Sequence, residues 1–214
     1  MDAVKEFDKA LSQLKASLRD ITSVEATIHP AAEVFTLIFC EAFASDQLEH
    51  QLENERLGAT RSNWTYHTAF AIKRTAQIMG LSCRFEAMGR LDAVIETVEE
   101  KPRIAILAEW EWDYQDIFDK GKELEKLWKG TSGLKYGNAL LFTYCPLNEY
   151  EDFVKSVIEY WQGRAVKKKN PPLLFLPVVV FKGDSFREFQ FMRIVEIHPR
   201  KVKLWNDVYF SLLV

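Results

Sequence analysis

Asp92, Glu109 and Glu111 are the residues whose types and spacing point to chemistry. Glu109-Trp110-Glu111 follows Asp92 by 17 positions and closes the apolar run Ile104-Ala-Ile-Leu-Ala108. In a strand, alternate residues share a face, so Glu109 and Glu111 point one way and Trp110 and Trp112 the other. The polar stretch Val98-Glu-Glu-Lys-Pro102 joins two strand patterns, residues 91–97 and 103–112, as a hairpin connection. If that connection is symmetric about residues 98–101, Asp92 faces Leu107 and Glu109 is its diagonal neighbour, within roughly 8 Å. Three such carboxylates repel one another, and one pKa is pushed upward. A divalent ion with hard oxygen ligands, Mg²⁺ or Mn²⁺, resolves the conflict. Such an ion polarises a phosphoryl oxygen and lowers the pKa of bound water, the chemistry of phosphodiester hydrolysis.

Other catalytic signatures are missing from the sequence. There is no G-x-x-x-x-G-K-[ST] phosphate loop, no G-x-G-x-x-G and no G-x-S-x-G elbow. His29, His50, His67 and His198 stand apart without metal-ligand spacing. Cys40, Cys83 and Cys145 form neither a C-x-x-C pair nor a disulfide framework, which suits a reducing cytoplasm. The start, Met-Asp-Ala-Val-Lys-Glu, lacks the basic and apolar pattern of a secretory signal. The longest apolar stretch, Leu173 to Phe181, contains Pro177 and is far short of the roughly 20 residues of a spanning helix.

The elements that must position the acids follow from periodicity. Val4, Phe7, Leu11, Leu14 and Leu18 predict an amphipathic helix over 2–19, and Phe35, Ile38, Phe39, Ala42 and Phe43 the apolar face of another over 31–57. A third helix spans 63–79, with Gly80 as its stop. Short strands follow at 82–88, 91–97 and 103–112. A helix over 113–129 comes next, with Tyr114, Ile117, Phe118, Gly121, Leu124 and Trp128 on one side. Its acids Asp113, Asp116, Asp119, Glu123 and Glu125 read as a solvated face, and Gly121 as a close helix–sheet approach. The chain continues with a strand at 138–144, a helix at 147–161, and strands at 173–181, 188–197 and 203–213. The class is α+β, or mixed α/β, around one sheet in a single domain. Residues 1–60 form a helical extension, 64–145 the core, and 146–214 a helix plus carboxy-terminal strands with a basic loop.

Asp92 and the Glu-x-Glu of the next strand resemble the PD-(D/E)XK nuclease superfamily, and so does the order helix, three strands, helix, strand. The resemblance covers about residues 64–145. It implies a restriction-endonuclease-like αβββαβ core and a Mg²⁺-dependent nuclease acting on DNA, with Asp92 and Glu109 as metal ligands. Leu91 stands where the family has Pro, and Glu111 where it usually has Lys. By analogy with E-x-E members, Glu111 is a further ligand or the general base. Alternatively Lys120 or Lys122 supplies the positive charge from the following helix, or catalysis is lost and the fold serves as a binding or assembly module. The size resembles stand-alone type II restriction enzymes, many of which are homodimers.

The formal charge of −3 hides an uneven distribution. Residues 1–160 carry 18 Lys+Arg against 27 Asp+Glu, or −9; residues 161–203 carry 10 against 3, or +7; the remaining eleven contribute −1. Arg164, Lys167, Lys168 and Lys169 concentrate this basic charge in one loop, where phosphate contact is expected. Lys73 and Arg74 on the preceding helix are further candidates for a DNA backbone.

Overall fold

Central strands buried on both faces need apolar side chains on both. Ile104–Glu111, Asn138–Pro146 and Leu173–Lys182 supply them. In the computed structural model these are β3, β4 and β5, three adjacent parallel strands. The structure describes residues 30–44, 61–88, 90–134, 137–166, 168–182 and 188–209. Before β3 come β1 (Leu81–Ala87) and β2 (Leu91–Thr97), which complete an antiparallel meander. After β5 the antiparallel β6 (Glu188–Ile197) is followed by β7 (Val202–Leu204) and β8 (Val208–Tyr209). The sheet runs β1-β2-β3-β4-β5-β6-β7, with β8 also beside β6.

Helices cover both faces. Residues 30–44 (α1) and Arg61–Ile78 (α2) lie on one side, where Phe35, Phe39, Phe43 and Ile72 join Ile95, Ile106, Phe142 and Phe175 in an apolar core. Glu123–Ser132 (α3) and Tyr150–Ala165 (α4) lie on the other, where Leu124, Leu127, Val157 and Trp161 meet Val94, Leu107, Leu141 and Val178. The α+β class with one mixed sheet is therefore as expected. Among the described residues no helix is long and apolar enough to cross a membrane.

Three local expectations change. The helix expected over 113–129 begins only at Glu123. Asp113 Oδ1 accepts the N–H of Gln115 at 3.0 Å, closing a turn, and a short 3₁₀ segment follows at Asp116–Phe118. Gly121 then takes φ +80° and Lys122 is extended, so the helix cannot run through this stretch. The close approach to the sheet occurs instead at Gly130, which lies within α3, just past the expected end of the helix. A Cβ there would stand 2.8 Å from Leu107 Cδ1.

The second change is register. Ala93 pairs with Ala108, Val94 with Leu107 and Ile95 with Ile106, whereas Glu96 pairs with Ile104. The hairpin is centred one half-step later than symmetry about 98–101 requires, and a bulge at Ala105 inserts one more residue. Together they move the partner of Asp92 two positions along β3, from Leu107 to Glu109. The third change is at the end of the chain: the strand expected over 203–213 is two short strands within the described residues. The expected helix at 2–19, the part of the second helix beyond residue 44, and residues 210–213 lie outside them.

Candidate functional site

The register places acids side by side on three adjacent strands. With Ala93 opposite Ala108, the next step along β2 and β3 sets Asp92 beside Glu109. With Phe85 opposite Ala93 and Ala87 opposite Leu91, Glu86 of β1 occupies the position on the other side of Asp92. Asp92 Oδ2 accepts the backbone N–H of Trp110 at 2.9 Å, which ties the β2 carboxylate to the end of β3.

Helix α3 roofs this row, and its first residues face the acids. Lys126 Nζ donates to Glu109 Oε2 at 3.0 Å and to Glu123 Oε1 at 3.4 Å. Glu109 is fully buried and Glu123 nearly so, while the Lys126 side chain remains 27% exposed and reaches solvent. Glu123 sits in the first turn of α3, where the positive end of the helix dipole favours a carboxylate. Leu124, Leu127 and the Gly130 contact with Leu107 fix the height of α3 over the sheet.

The electrostatics follow from burial. Desolvation raises the Asp92 pKa to about 6, with the Trp110 N–H and Lys126 working against it and Glu123 and Glu86 adding to it. Glu109 is pushed up to about 8, first by burial and then by the Asp92 charge, and Lys126 offsets only part of this. Burial disfavours the Lys126 ammonium, but the hydrogen bond and charge of Glu109, with Glu123 and Asp92, raise its pKa overall. Lys126 is therefore charged at neutral pH, and it neutralises only part of the acidic row.

The acids supply hard oxygen donors, two of them buried. Glu109 Oε1 and Glu123 Oε2 are buried with no hydrogen-bond partner, and an ionised carboxylate oxygen so placed is strongly unfavourable unless a proton or a cation meets it. Among the described residues no three His, Cys, Asp or Glu side chains already converge on one cation-sized point. The ammonium of Lys126 stands between Glu109 and Glu123 instead.

The other residues singled out in the sequence lie elsewhere. Glu111 turns to the end of its own strand: its Oε1 accepts the N–H of Trp112 at 2.7 Å and of Asp113 at 3.3 Å. The strand end it occupies borders a small cleft on the α2 side, lined also by Trp64, Thr68, Trp110, Trp112 and Tyr144. Trp110 and Trp112 pack against the core on that same side, as their alternation requires. Lys122 immediately precedes α3, and the charge of Lys120 acts on Glu125. The helix cation beside the acids is Lys126, four residues beyond Lys122. Glu123, expected on a solvated face, is one of its partners.

The basic candidates are dispersed. Lys73 and Arg74 are exposed on α2, across the sheet from α3. Arg164 lies in the last turn of α4, its guanidinium 3.6 Å from the Tyr160 ring centroid. Lys168 Nζ lies 3.4 Å from the Ser132 carbonyl at the far end of α3. Lys169 is exposed beside it, and Lys167 lies outside the described residues. Leu173, where the loop enters β5, is level with Asn138, whereas Glu109 is level with Leu141. Three residues of strand separate the two levels, about 10 Å.

Fold and site together define a mixed α+β protein, a sheet between two helical layers, with a row of acids that runs from exposed Glu86 through half-buried Asp92 to buried Glu109 and is met by Lys126. No known family, no curated protein and no solved structure matches this chain.

Proposed function

We propose that the chain is a Mg²⁺- or Mn²⁺-dependent nuclease with a restriction-endonuclease-like core. The observation that carries this reading is the Asp92–Glu109–Lys126 constellation at the end of a buried strand. Its setting agrees: α2, the meander β1-β2-β3, α3 and the parallel strand β4 follow in the αβββαβ order. The lysine that the resemblance places two residues after Glu109 is replaced in space by Lys126 of α3.

Asp92 and Glu109 would hold the cation, with the unpartnered Glu109 Oε1 as a ready ligand. When bound, a divalent ion polarises the phosphoryl group and makes hydroxide accessible at neutral pH. The chain's own residues do the rest. The Trp110 N–H fixes the Asp92 carboxylate, and the buried walls of β3 and α3 keep Glu109 from spreading its charge into solvent. Lys126, reaching solvent at the mouth of the site, offsets negative charge on the phosphate oxygens as the bond breaks. DNA is the proposed substrate and the cytoplasm the proposed location, with homodimers as in many enzymes of this size.

The placement of Glu111 and the distance of the basic loop favour a second reading, a catalytically inactive binding module of the same fold. Incubating supercoiled plasmid, linear duplex and RNA with the chain in Mg²⁺ or Mn²⁺ distinguishes them. Cleavage that falls at least about 100-fold in Asp92→Asn and Lys126→Met, with folding retained, supports the nuclease. Binding of DNA with no cleavage under either metal supports the module.

A further inference from the structure

We infer that the outer face of α2 is a binding surface for a single-stranded nucleic acid, with Tyr66 and Phe70 stacking on two unpaired bases and Lys73 and Arg74 meeting the phosphates. The surface lies across the sheet from the carboxylate row and does not depend on it. The first observation is charge. Residues 56–85 are the longest stretch of the chain without Asp or Glu, and they carry five Lys and Arg in a chain of net charge −3. Two of the five, Lys73 and Arg74, are exposed on α2. The second observation is bare aromatic surface. Tyr66 is 80% exposed and Phe70 59%, whereas Trp64, Ala71, Ile72 and Ala76 of the same helix are buried in the core.

Helical geometry joins the two. At 3.6 residues per turn, Tyr66, Phe70, Lys73 and Gln77 fall on one stripe opposite the buried side, and all four are exposed. Thr68 and Thr75 turn inward, their hydroxyls donating to the carbonyls of Trp64 at 2.9 Å and Ala71 at 2.8 Å, so the outer stripe is left to the aromatics and cations. Tyr66 and Phe70 are one turn apart, about 6 Å along the axis. Stacked bases stand only about 3.4 Å apart along a strand, so rings at this spacing take bases that have come unstacked. Any base offers a π-face to such a ring, and the cations one turn further on lie where the phosphates of the same strand pass. A duplex turns its base faces to one another and leaves the two rings nothing to stack on. A protein partner would cover the rings but gives no reason for the lack of acids around them. The stripe also has a direction. Trp64, in the first turn of α2, meets Trp112 just beyond β3 at 4.6 Å between ring centroids. The Tyr66 end of the stripe therefore lies at the end of the sheet that carries Glu109.

Fluorescence anisotropy on the full chain, in EDTA, tests this with labelled oligo(dT), oligo(U) and a DNA duplex of the same length. Charge alone favours the duplex, whose phosphates are denser, whereas the α2 surface should bind the single strands about tenfold more tightly. Tyr66→Leu and Phe70→Leu, which keep apolar volume and lose the ring, should each weaken single-strand binding about tenfold. Phe70→Trp should keep wild-type affinity, with indole fluorescence quenched on binding beyond the wild-type change. Lys73→Gln should lower the magnitude of the salt-dependence slope by about 0.7, the loss of one phosphate contact on a single strand. All these side chains are exposed, so circular dichroism should report wild-type folding throughout. A difference between oligo(dT) and oligo(U) assigns the sugar and supports the surface in either direction. Duplex bound as tightly as single strand, or the two Leu variants at wild-type affinity, overturns the inference, the second outcome pointing to a protein or lipid partner instead. Because EDTA withholds the divalent ion, failure here leaves the nuclease reading standing, and a lack of cleavage in Mg²⁺ leaves this surface standing.

Discussion

Glu109 is the residue on which the site turns, because its side chain is both wholly buried and next to a second acid. Burial raises its pKa to about 8 and that of Asp92 to about 6. In the unfolded chain both titrate near 4, so between about pH 4.5 and 8 the folded protein holds protons that the unfolded protein has lost. The sign follows from linkage: stability of the metal-free protein falls as pH rises through this window, and the full penalty is reached above about 8. Glu109→Gln removes the larger contribution. Thermal midpoints measured in chelator at pH 6 and pH 9 should therefore fall more in wild type than in Glu109→Gln. The difference corresponds to about 2 kcal/mol, or roughly 5 °C for a chain of this size. Equal slopes would mean that Glu109 is not held charged in a dry environment. Asp92 and Glu109 were legible in the sequence because two ordinary rules, strand alternation and a buried apolar run, isolate them. Their exact neighbour relation was not. The half-step in the hairpin and the Ala105 bulge have no compositional mark, and together they turn a diagonal pair into a direct one.

Helix α3 is the element that completes the site, and its start is set by Gly121 at φ +80° and the extended Lys122. An L side chain in the left-handed region costs roughly 1–2 kcal/mol, so Gly121→Ala should lower stability by about that amount in denaturant titration. Since the same turn sets Lys126 beside Glu109, the Mn²⁺-dependent cleavage proposed above should fall along with stability. A substitution that leaves both unchanged would show that α3 does not depend on this turn for its phase. The turn also explains why Lys126 escaped sequence reasoning while Lys120 and Lys122 did not. Tyr114, Ile117 and Phe118 continue a helical stripe with Leu124 and Trp128, yet they pack in a turn and a short 3₁₀ segment outside the helix. Ile117 is fully buried, and Tyr114 lies edge-on to Phe153 at 5.4 Å between centroids. Periodicity cannot separate a buried loop from the helix it precedes, and a helix begun ten residues too early presents the wrong face. With α3 begun at Glu123, residues 123, 126, 127 and 130 share one side, and Lys126 falls among them.

At the scale of the molecule, the nuclease proposal requires a chain of net charge −3 to meet a polyanion. The acidic row and the basic loop occupy different levels of the same sheet, about 10 Å apart along the parallel strands. A ligand that touches both must be extended: about 10 Å along the strands and two strand spacings from β3 to β5 make roughly 14 Å, about four nucleotides at 3.4 Å each. A mononucleotide would reach the acids alone. On the nuclease proposal, the loop cations would act on affinity for polymeric substrate and not on the chemistry at Asp92 and Glu109. Reversing Lys168 and Lys169 to Glu should weaken binding of a duplex oligonucleotide and lower the magnitude of the salt-dependence slope by about 2, close to one per lost phosphate contact. Mn²⁺ affinity should stay at the wild-type value, because neither lysine is near the carboxylate row. Fluorescence anisotropy of the oligonucleotide over a salt series checks the first outcome and calorimetry the second. An unchanged slope would remove this loop from the path of the nucleic acid and leave the exposed Lys73 and Arg74 of α2, on the opposite face, as the remaining basic surface to test.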